Sequence, residues 1–457
     1  MQPALNPTVK GVLQALGSDR RFVRGSGTRL FDDAGREYLD CWAQYGVLAL
    51  GHNPPAVLAA LRESLAASEP AFLQPYRAPH AEALADELIR RAPPGLAHCV
   101  FTNSGAEAVE AALKLVRRAT GKTRILSAEG SYHGATFAAM AASGQPGHRE
   151  GFGPLPDGFE TVPYGDADAL EARLAEAGGE LAAFLVEPVQ GRRGVHAPPS
   201  GYLARAREAC TRHGAALIVD EIQTGFGRTG TMFCCQQEGV APDVMLVAKA
   251  LGGGVFPLGA CLASAALWND DFALRHLSTF ANNNLACRAG LAMLGALDEV
   301  LPTLAASGDH LAGALAALAR RHPGAVREVR SRGLLAAIEL HAVPPDAGPV
   351  ACELGRRGLF AAAVAAATAE IEGVLVLPAV GDSQVIRFIP ALIMTPAELD
   401  RGVEGLDHVL SLIDAGDDEL LAFALGDAGT PSGPALASAG DVEVGVGTND
   451  ERGATAP

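Results

Sequence analysis

Asp220 and Lys249 are the residues of this 457-residue chain whose types and settings point most directly to chemistry. Asp220 closes the apolar run at 215–219 in AALIVDEIQTGFGRTG, and Lys249 follows a second run at 244–248 in LVAKALGGG. Both runs predict short buried strands. A carboxylate and an amine at the carboxyl ends of strands in an α/β sheet stand where such sheets bind ligands. The pair suits pyridoxal phosphate, which needs an amine to carry it as a Schiff base and an anion against its ring nitrogen to keep the ring an electron sink. Lysine is otherwise scarce, limited to Lys10, Lys114 and Lys122, with arginine used almost everywhere else. An arginine cannot form an imine at neutral pH. Taken alone, the segment equally fits a strand-end lysine in solvent.

A second constellation is FTNSGAEAVEAALKLVRR. Phe101 and Thr102 end a predicted strand, residues 103–105 turn the chain, and Glu107 lies three residues after Ser104 as a capping box requires. Val109, Ala112, Leu113 and Val116 then form the apolar stripe of a helix. A helix N-terminus behind a glycine turn offers free N–H groups and the positive end of a dipole to a dianion such as phosphate. The alternative is an ordinary strand-to-helix turn with a good cap.

These sites need a scaffold. Short β-branched runs (CVFTN, TRILSAE, AAFLVEP, LIVDE, VMLVAK) alternate with helical stretches over residues 46–294, predicting an α/β domain with a mostly parallel sheet covered by helices. Residues 1–45 read as an arm with a hairpin turning at Ala34-Gly35, 295–415 as a smaller α+β domain, and 416–457 as an acidic disordered tail. The formal charge of −16 argues against nucleic acid or an anionic membrane as partner. The start, MQPALNPTVK, reads as no export signal, and the apolar stretch at 359–369 is too short for a span and reads as a buried helix. Eight scattered cysteines fit reduced core residues of a cytoplasmic protein, and the dispersed histidines, among them His52, His133, His196 and His213, predict no metal.

Taken in order, LFDDAGREYLD, GHNPP, NSGAEA, SYHG, LVEPVQG, DEIQTGFGRTG, AKALGGG, STF and IRFIP resemble the class III, or subgroup II, aminotransferases of fold type I. The resemblance implies a seven-stranded, mostly parallel sheet sandwiched by helices, a smaller α+β domain, and pyridoxal 5'-phosphate as cofactor. It implies that Ser104, Gly105 and Ala106 hold the phosphate and that Tyr132 stacks on the ring, though a core aromatic would also fit. Asp220 is then the partner of the ring nitrogen, and Gln223 reaches the ring hydroxyl. Glu187 supports the site near Gln223, unless it is a structural strand-end carboxylate, and Lys249 is the Schiff-base lysine and proton carrier. Thr279 would touch the phosphate in the neighbouring subunit, which implies a homodimer with shared sites.

Substrate contacts are expected from Arg387, Tyr45 and Arg192. Arg387 matches the family's arginine for an α-carboxylate, and a surface salt bridge is its alternative. The chain departs from ornithine- and acetylornithine-type members at three places. Arg192-Arg193 stands where they usually carry a glutamate, Ala135 where a cation is common, and STFANNN, with Asn282, Asn283 and Asn284, where GGNP is usual. With the arm LNPTVKGVLQALG, these departures look most like members that install a terminal amine on an aldehyde during specialised-metabolite biosynthesis, with an amino-acid donor such as glutamate. An ornithine, acetylornithine or diamine aminotransferase, an aminomutase or decarboxylating member, and a non-catalytic ligand-binding regulator are the alternatives.

Overall fold

Three β-sheets organise the chain in this computed structural model, which describes residues 6, 19–73, 75–342, 348–379 and 382–425. The chain begins with β1 (Phe22–Ser26), β2 (Arg29–Asp32) and β3 (Glu37–Asp40), paired antiparallel in succession. Asp32 fixes the predicted turn: its Oδ1 accepts the N–H groups of Ala34 and Arg36 at 3.0 and 2.8 Å, and Gly35 takes φ +83°.

The central sheet holds seven strands. In chain order they are β4 (Leu96–Thr102), β5 (Arg124–Ala128), β6 (Phe159–Val162), β7 (Leu181–Val186), β8 (Ala216–Asp220), β9 (Val244–Val247) and β10 (Gly259–Ser264). Across the sheet they run β4-β10-β9-β8-β7-β5-β6, and only β10 is antiparallel to its neighbours. Strands β7 to β10 are buried at every position, which explains their near-continuous apolar sequences: helices cover both faces. The six parallel strands therefore deliver their carboxyl ends, and the loops that follow, to one edge.

A third sheet, β11 (Val326–Arg332), β12 (Leu335–Leu340), β14 (Leu377–Pro378) and β15 (Val385–Phe388), is antiparallel in the order β11-β12-β15-β14. Strand β13 (Val374–Leu375) instead pairs parallel with β3, tying the N-terminal hairpin to the C-terminal part. The apolar stretch at 359–369 lies in the helix Phe360–Glu372 and is buried over most of its length. The helix Pro396–Asp414 opens on a complete capping box, with Thr395 and Glu398 each accepting the other's backbone N–H.

Two boundaries drawn from sequence fall on ordered elements. The division at 294/295 falls inside one helix, Asn284–Val300, whose apolar face is continuous across it. Residues 416–425, read from sequence as the first part of the tail, are described. Glu419–Leu425 form a 3-10 turn with Leu421 fully buried, and Asp418 Oδ2 accepts the Ala351 N–H at 2.9 Å in the first turn of the helix Pro349–Arg356. Residues 426–457, and all of the arm before residue 19 except Asn6, lie outside the described residues. Among the described residues one stretch, Asn284–Arg321, has the length and mean hydropathy of a membrane span. It is two helices separated by a 3-10 turn at Leu301–Thr303, and its Leu297, Leu304, Leu311 and Leu318 belong to the core.

Candidate active site

The loops at the carboxyl edge enclose a cavity of about 750 Å³. Every candidate residue from the sequence lines it except Thr279, which is exposed. Strand β8 ends on Asp220, 4% exposed, while the next residue, Glu221, turns away and is held by the Cys235 N–H at 2.7 Å and the Thr224 hydroxyl. One member of the DE pair thus serves the cavity and the other the packing behind it.

Asp220 is oriented from both oxygens. Its Oδ1 accepts the Ile222 N–H at 3.1 Å, and Oδ2 lies 2.7 Å from Nδ1 of His133. His133 is buried, its backbone N–H donates to Ser143 Oγ at 2.9 Å, and its Nε2 has no hydrogen-bond partner. Sequence reasoning missed this histidine as a functional residue. The only local signal is its place in SYHG, since its partner lies 87 residues away.

Lys249 follows β9 in a 3-10 turn, Lys249–Gly252, at φ +45°, a left-handed conformation that costs a non-glycine residue about 1 kcal/mol or more. Strain at this position is the kind found where a side chain must be aimed. The side chain is half-buried, and loss of hydration lowers its pKa from the ordinary lysine value against the opposing pull of Asp220 and Glu187; the charges of Arg387 and Arg192 lower it further.

At the opposite wall, Ser104 caps the helix Gly105–Thr120 and its Oγ accepts the Glu107 N–H at 3.1 Å. The expected capping box is only half formed. Glu107 accepts the N–H and side-chain amide of Asn103, at 2.8 and 3.0 Å, rather than the Ser104 N–H. The N–H groups of Ser104, Gly105 and Ala106 consequently have no acceptor among the described residues, the arrangement that suits an anion. A Cβ on Gly105 would come within 2.9 Å of Ile222 Cδ1. Asn103 also donates to Ser278 Oγ at 2.9 Å, which brings STF, and with it Thr279, beside this wall.

Glu187 follows β7 and its Oε1 accepts the Tyr132 N–H at 2.7 Å, so its bond goes to Tyr132 rather than Gln223. Burial raises its pKa to about 7, partly offset by His133 and aided by Asp220. Gln223 donates to the Tyr45 carbonyl at 3.2 Å. Tyr45 lies in Ala43–Gly46, where four successive residues have positive φ. Its ring centroid is 5.4 Å from Cζ of Arg387.

Arg387 is no surface ion pair. It is 1% exposed, pairs with no carboxylate among the described residues and leaves Nε unpartnered among them, and has its pKa lowered to about 10 by burial. A buried guanidinium without a counter-charge is costly unless a ligand supplies one. Arg192 is half-buried with its Cζ 3.9 Å from the Tyr132 ring centroid. The asparagine run has structural work: Asn283 Oδ1 caps its helix at the Ala286 N–H (2.8 Å), and the buried Asn284 bonds His80 and Pro70.

A lysine, a strand-end carboxylate and a free helix N-terminus meeting at the carboxyl edge of this sheet define a pyridoxal-phosphate enzyme of fold type I. The comparisons refine the class, because the family described as "Aminotransferase class-III" matches residues 15–410, and the chain belongs to it. Aminotransferase PigE of Serratia sp. (strain ATCC 39006) is 39% identical over 343 residues, 73% of this chain but 40% of that protein, so the chain spans about two fifths of its length. An (S)-enantioselective omega-transaminase from Thermomicrobium roseum superposes with TM-score 0.77 at 32% identity, covering 90% of this chain and 96% of that one. Taurine:2-oxoglutarate aminotransferase from Bifidobacterium kashiwanohense, solved with PLP and glutamate, gives 0.78 at 28% identity, covering 87% and 93%. Pyridoxal phosphate is the family's cofactor, and the donor set here fits it. The free N–H groups suit its phosphate, Asp220 its ring nitrogen, and Lys249 its aldehyde.

Proposed function

We propose that the protein is an aminotransferase that takes an amino group from an amino-acid donor, glutamate or a close analogue, and passes it to an aldehyde or ketone acceptor in a ping-pong cycle. The terminal amine so formed belongs to specialised-metabolite biosynthesis. The observation that carries the reading is that Lys249, Asp220, the free helix N-terminus and the unpaired Arg387 share one cavity. When bound, the cofactor supplies an electron sink for charge left on the donor carbon.

The chain's own groups do the rest. Lys249 would hold the cofactor through its amine and, as the nearby base, would move a proton at the donor carbon. That last task requires the neutral amine, which desolvation favours. Asp220, held at Oδ1 by the Ile222 N–H and at Oδ2 by His133, would pair with the ring nitrogen. His133 orients it. Arg387 takes the donor's α-carboxylate in a bidentate bond, and Gln223 and Tyr132 fix the ring. The apolar wall of Val47, Val189, Val255, Phe256 and Leu258 suits an acceptor with little carboxylate character near its reacting carbon.

The proposed working unit is a homodimer in which Thr279 reaches the partner's phosphate site. Leu274, Leu277 and Phe280 are 78, 79 and 60% exposed, and Phe280 packs edge-on against the exposed Phe72, a cluster that a second copy would cover. Six buried free cysteines support a reducing, cytoplasmic setting.

The test is an absorbance spectrum of the cofactor-loaded protein while glutamate, alanine and ornithine are added in turn. Conversion of the visible imine band to the pyridoxamine form establishes the half-reaction and names the donor. A protein that never acquires the band would overturn the reading.

A further inference from the structure

Resting on the aminotransferase reading, we propose that Asp40 and His52 are positioning residues. Together they hold the strained turn Ala43–Gly46 in the shape that sets Tyr45 at the rim of the cavity.

The turn is costly to hold. Ala43, Gln44 and Tyr45 take φ of +43, +51 and +61°, left-handed values that L side chains rarely adopt, and Gly46 follows at +82°. A run whose only work was to reverse the chain would carry glycine or asparagine at such positions. This one carries Gln44 and Tyr45, and Tyr45 is where the turn meets the cavity. It lines the wall, its carbonyl accepts the Gln223 side-chain amide at 3.2 Å, and its ring centroid stands 5.4 Å from Cζ of Arg387. Backbone strain of this kind persists only where the surrounding contacts over-determine it.

Asp40 supplies those contacts. It ends β3, is 2% exposed, and its Oδ1 accepts the N–H groups of Trp42 and Ala43 at 3.1 and 2.9 Å, so one oxygen fixes the two peptides that lead into the turn. Its Oδ2 lies 2.8 Å from Nε2 of His52, which stops the carboxyl group from rotating. His52 is fixed in turn by backbone bonds in both directions with Gly27, at 3.0 and 2.7 Å, and by Gly25, where a Cβ would come within 2.9 Å of its Cγ. Below the turn, the buried Arg228 donates to the carbonyls of Leu334 and Pro390 and lies against Gly46, where a Cβ would be 3.6 Å from its Nε. Neither Asp40 nor His52 lines the cavity, so what they do for the reaction passes through Tyr45.

Trp42 reports on the turn, because its ring meets the Tyr45 ring edge-on at 4.7 Å and the chain has 2 tryptophans, the other being Trp268. In a Trp268→Phe background the fluorescence of the apoprotein therefore reads Trp42 alone. His52→Leu should make acrylamide quenching of Trp42 about twice as efficient, and His52→Gln, which can still donate to Asp40, should restore most of the protection. In the cofactor-loaded enzyme with Trp268 intact, His52→Leu should raise the donor KM about fivefold with kcat changed by less than about threefold, and should raise it by less than about twofold when Tyr45→Ala is already present. Unchanged quenching in His52→Leu, or the same rise in KM with and without Tyr45→Ala, overturns the proposal. A fall in kcat alone also overturns it, since that is the mark of lost folded enzyme. Should His52→Leu not fold, His52→Asn, too short to reach Asp40, takes its place with the same outcomes. If no amine of any kind alters the imine band, the aminotransferase reading fails, while the quenching comparison still decides whether Asp40 and His52 hold the turn.

Discussion

Nδ1 of His133 lies 2.7 Å from Oδ2 of Asp220, with the imidazole buried and its Nε2 unpartnered. A buried lone pair is less costly than a buried unpaired N–H, so the geometry assigns the proton to Nδ1, where it donates to the carboxylate. An N–H donor at this place fixes the direction of the Asp220 carboxyl group. The structure thus adds a positioning residue to the acid read from sequence.

Replacing His133 with Phe should remove one of the two donors to Asp220 and lower turnover about tenfold, the effect of losing roughly 1.4 kcal/mol. The pH titration of the visible imine band should shift as well, because loss of the His133 donor changes the orientation and strength with which the Asp220 carboxylate meets the ring nitrogen. His133→Asn, which retains an N–H near Nδ1, should recover most of both. A titration curve that does not move in His133→Phe would reduce the residue to packing.

Glu187 should make the apoprotein's stability fall with rising pH. Its pKa is raised by burial from 4.5 to about 7, so between those values the unfolded chain has released a proton that the folded protein still holds. The stability it contributes is fully present below pH 4.5 and is lost as pH rises through 7, up to roughly 3 kcal/mol. Glu187→Gln cannot titrate, so thermal unfolding of that apoprotein from pH 5 to 8 should lack the corresponding decline. An identical decline in both proteins would place the titration elsewhere.

Much of this was legible because strand ends are punctuated in sequence. Asp220 and Lys249 each follow an apolar run that is buried along its whole length, and Ser104 announces its helix by the cap it makes. Pairings across the fold left no such mark. Apart from its place in SYHG nothing local distinguishes His133 from the other histidines, and the approach of the loops after β5 and β8 sets it against Asp220. Likewise, Arg387 could be matched to a motif, but its lack of a counter-charge depends on which loops surround it. Composition changes gradually around 294 and 416, whereas the structure there follows the continuous helix Asn284–Val300 and the Asp418 contact to Ala351, 67 residues away in sequence.

Arg387→Ala should separate donors by their carboxylates. Its guanidinium has no acidic partner among the described residues, so an amino-acid donor is expected to make charge-assisted bonds there worth a tenfold to hundredfold change in KM. A simple alkylamine has nothing to offer that group and should lose far less. Steady-state kinetics with alanine and with propylamine as donors make the comparison, and equal losses for both would remove the carboxylate role.

Lys249→Ala should abolish turnover and the visible imine band, since neither of the other described lysines, Lys114 and Lys122, lines the cavity. It should do so without loss of fold. The lysine's lowered pKa means that its ammonium is disfavoured in the folded protein relative to the unfolded chain. Its contribution to stability is therefore complete only above the ordinary lysine value of 10.5 and is lost as pH falls through the lowered folded value. At neutral pH the wild-type apoprotein bears that penalty, and it also bears the left-handed φ of +45° at the same residue, which alanine inherits. Removing the charge but not the backbone strain should leave the variant apoprotein at least as stable as the wild type at pH 7, a trade of stability for function at a residue aimed into a site. Thermal unfolding of the two apoproteins decides it, and a marked drop in the variant would mean that the pull of Asp220 and Glu187 on the ammonium outweighs its desolvation.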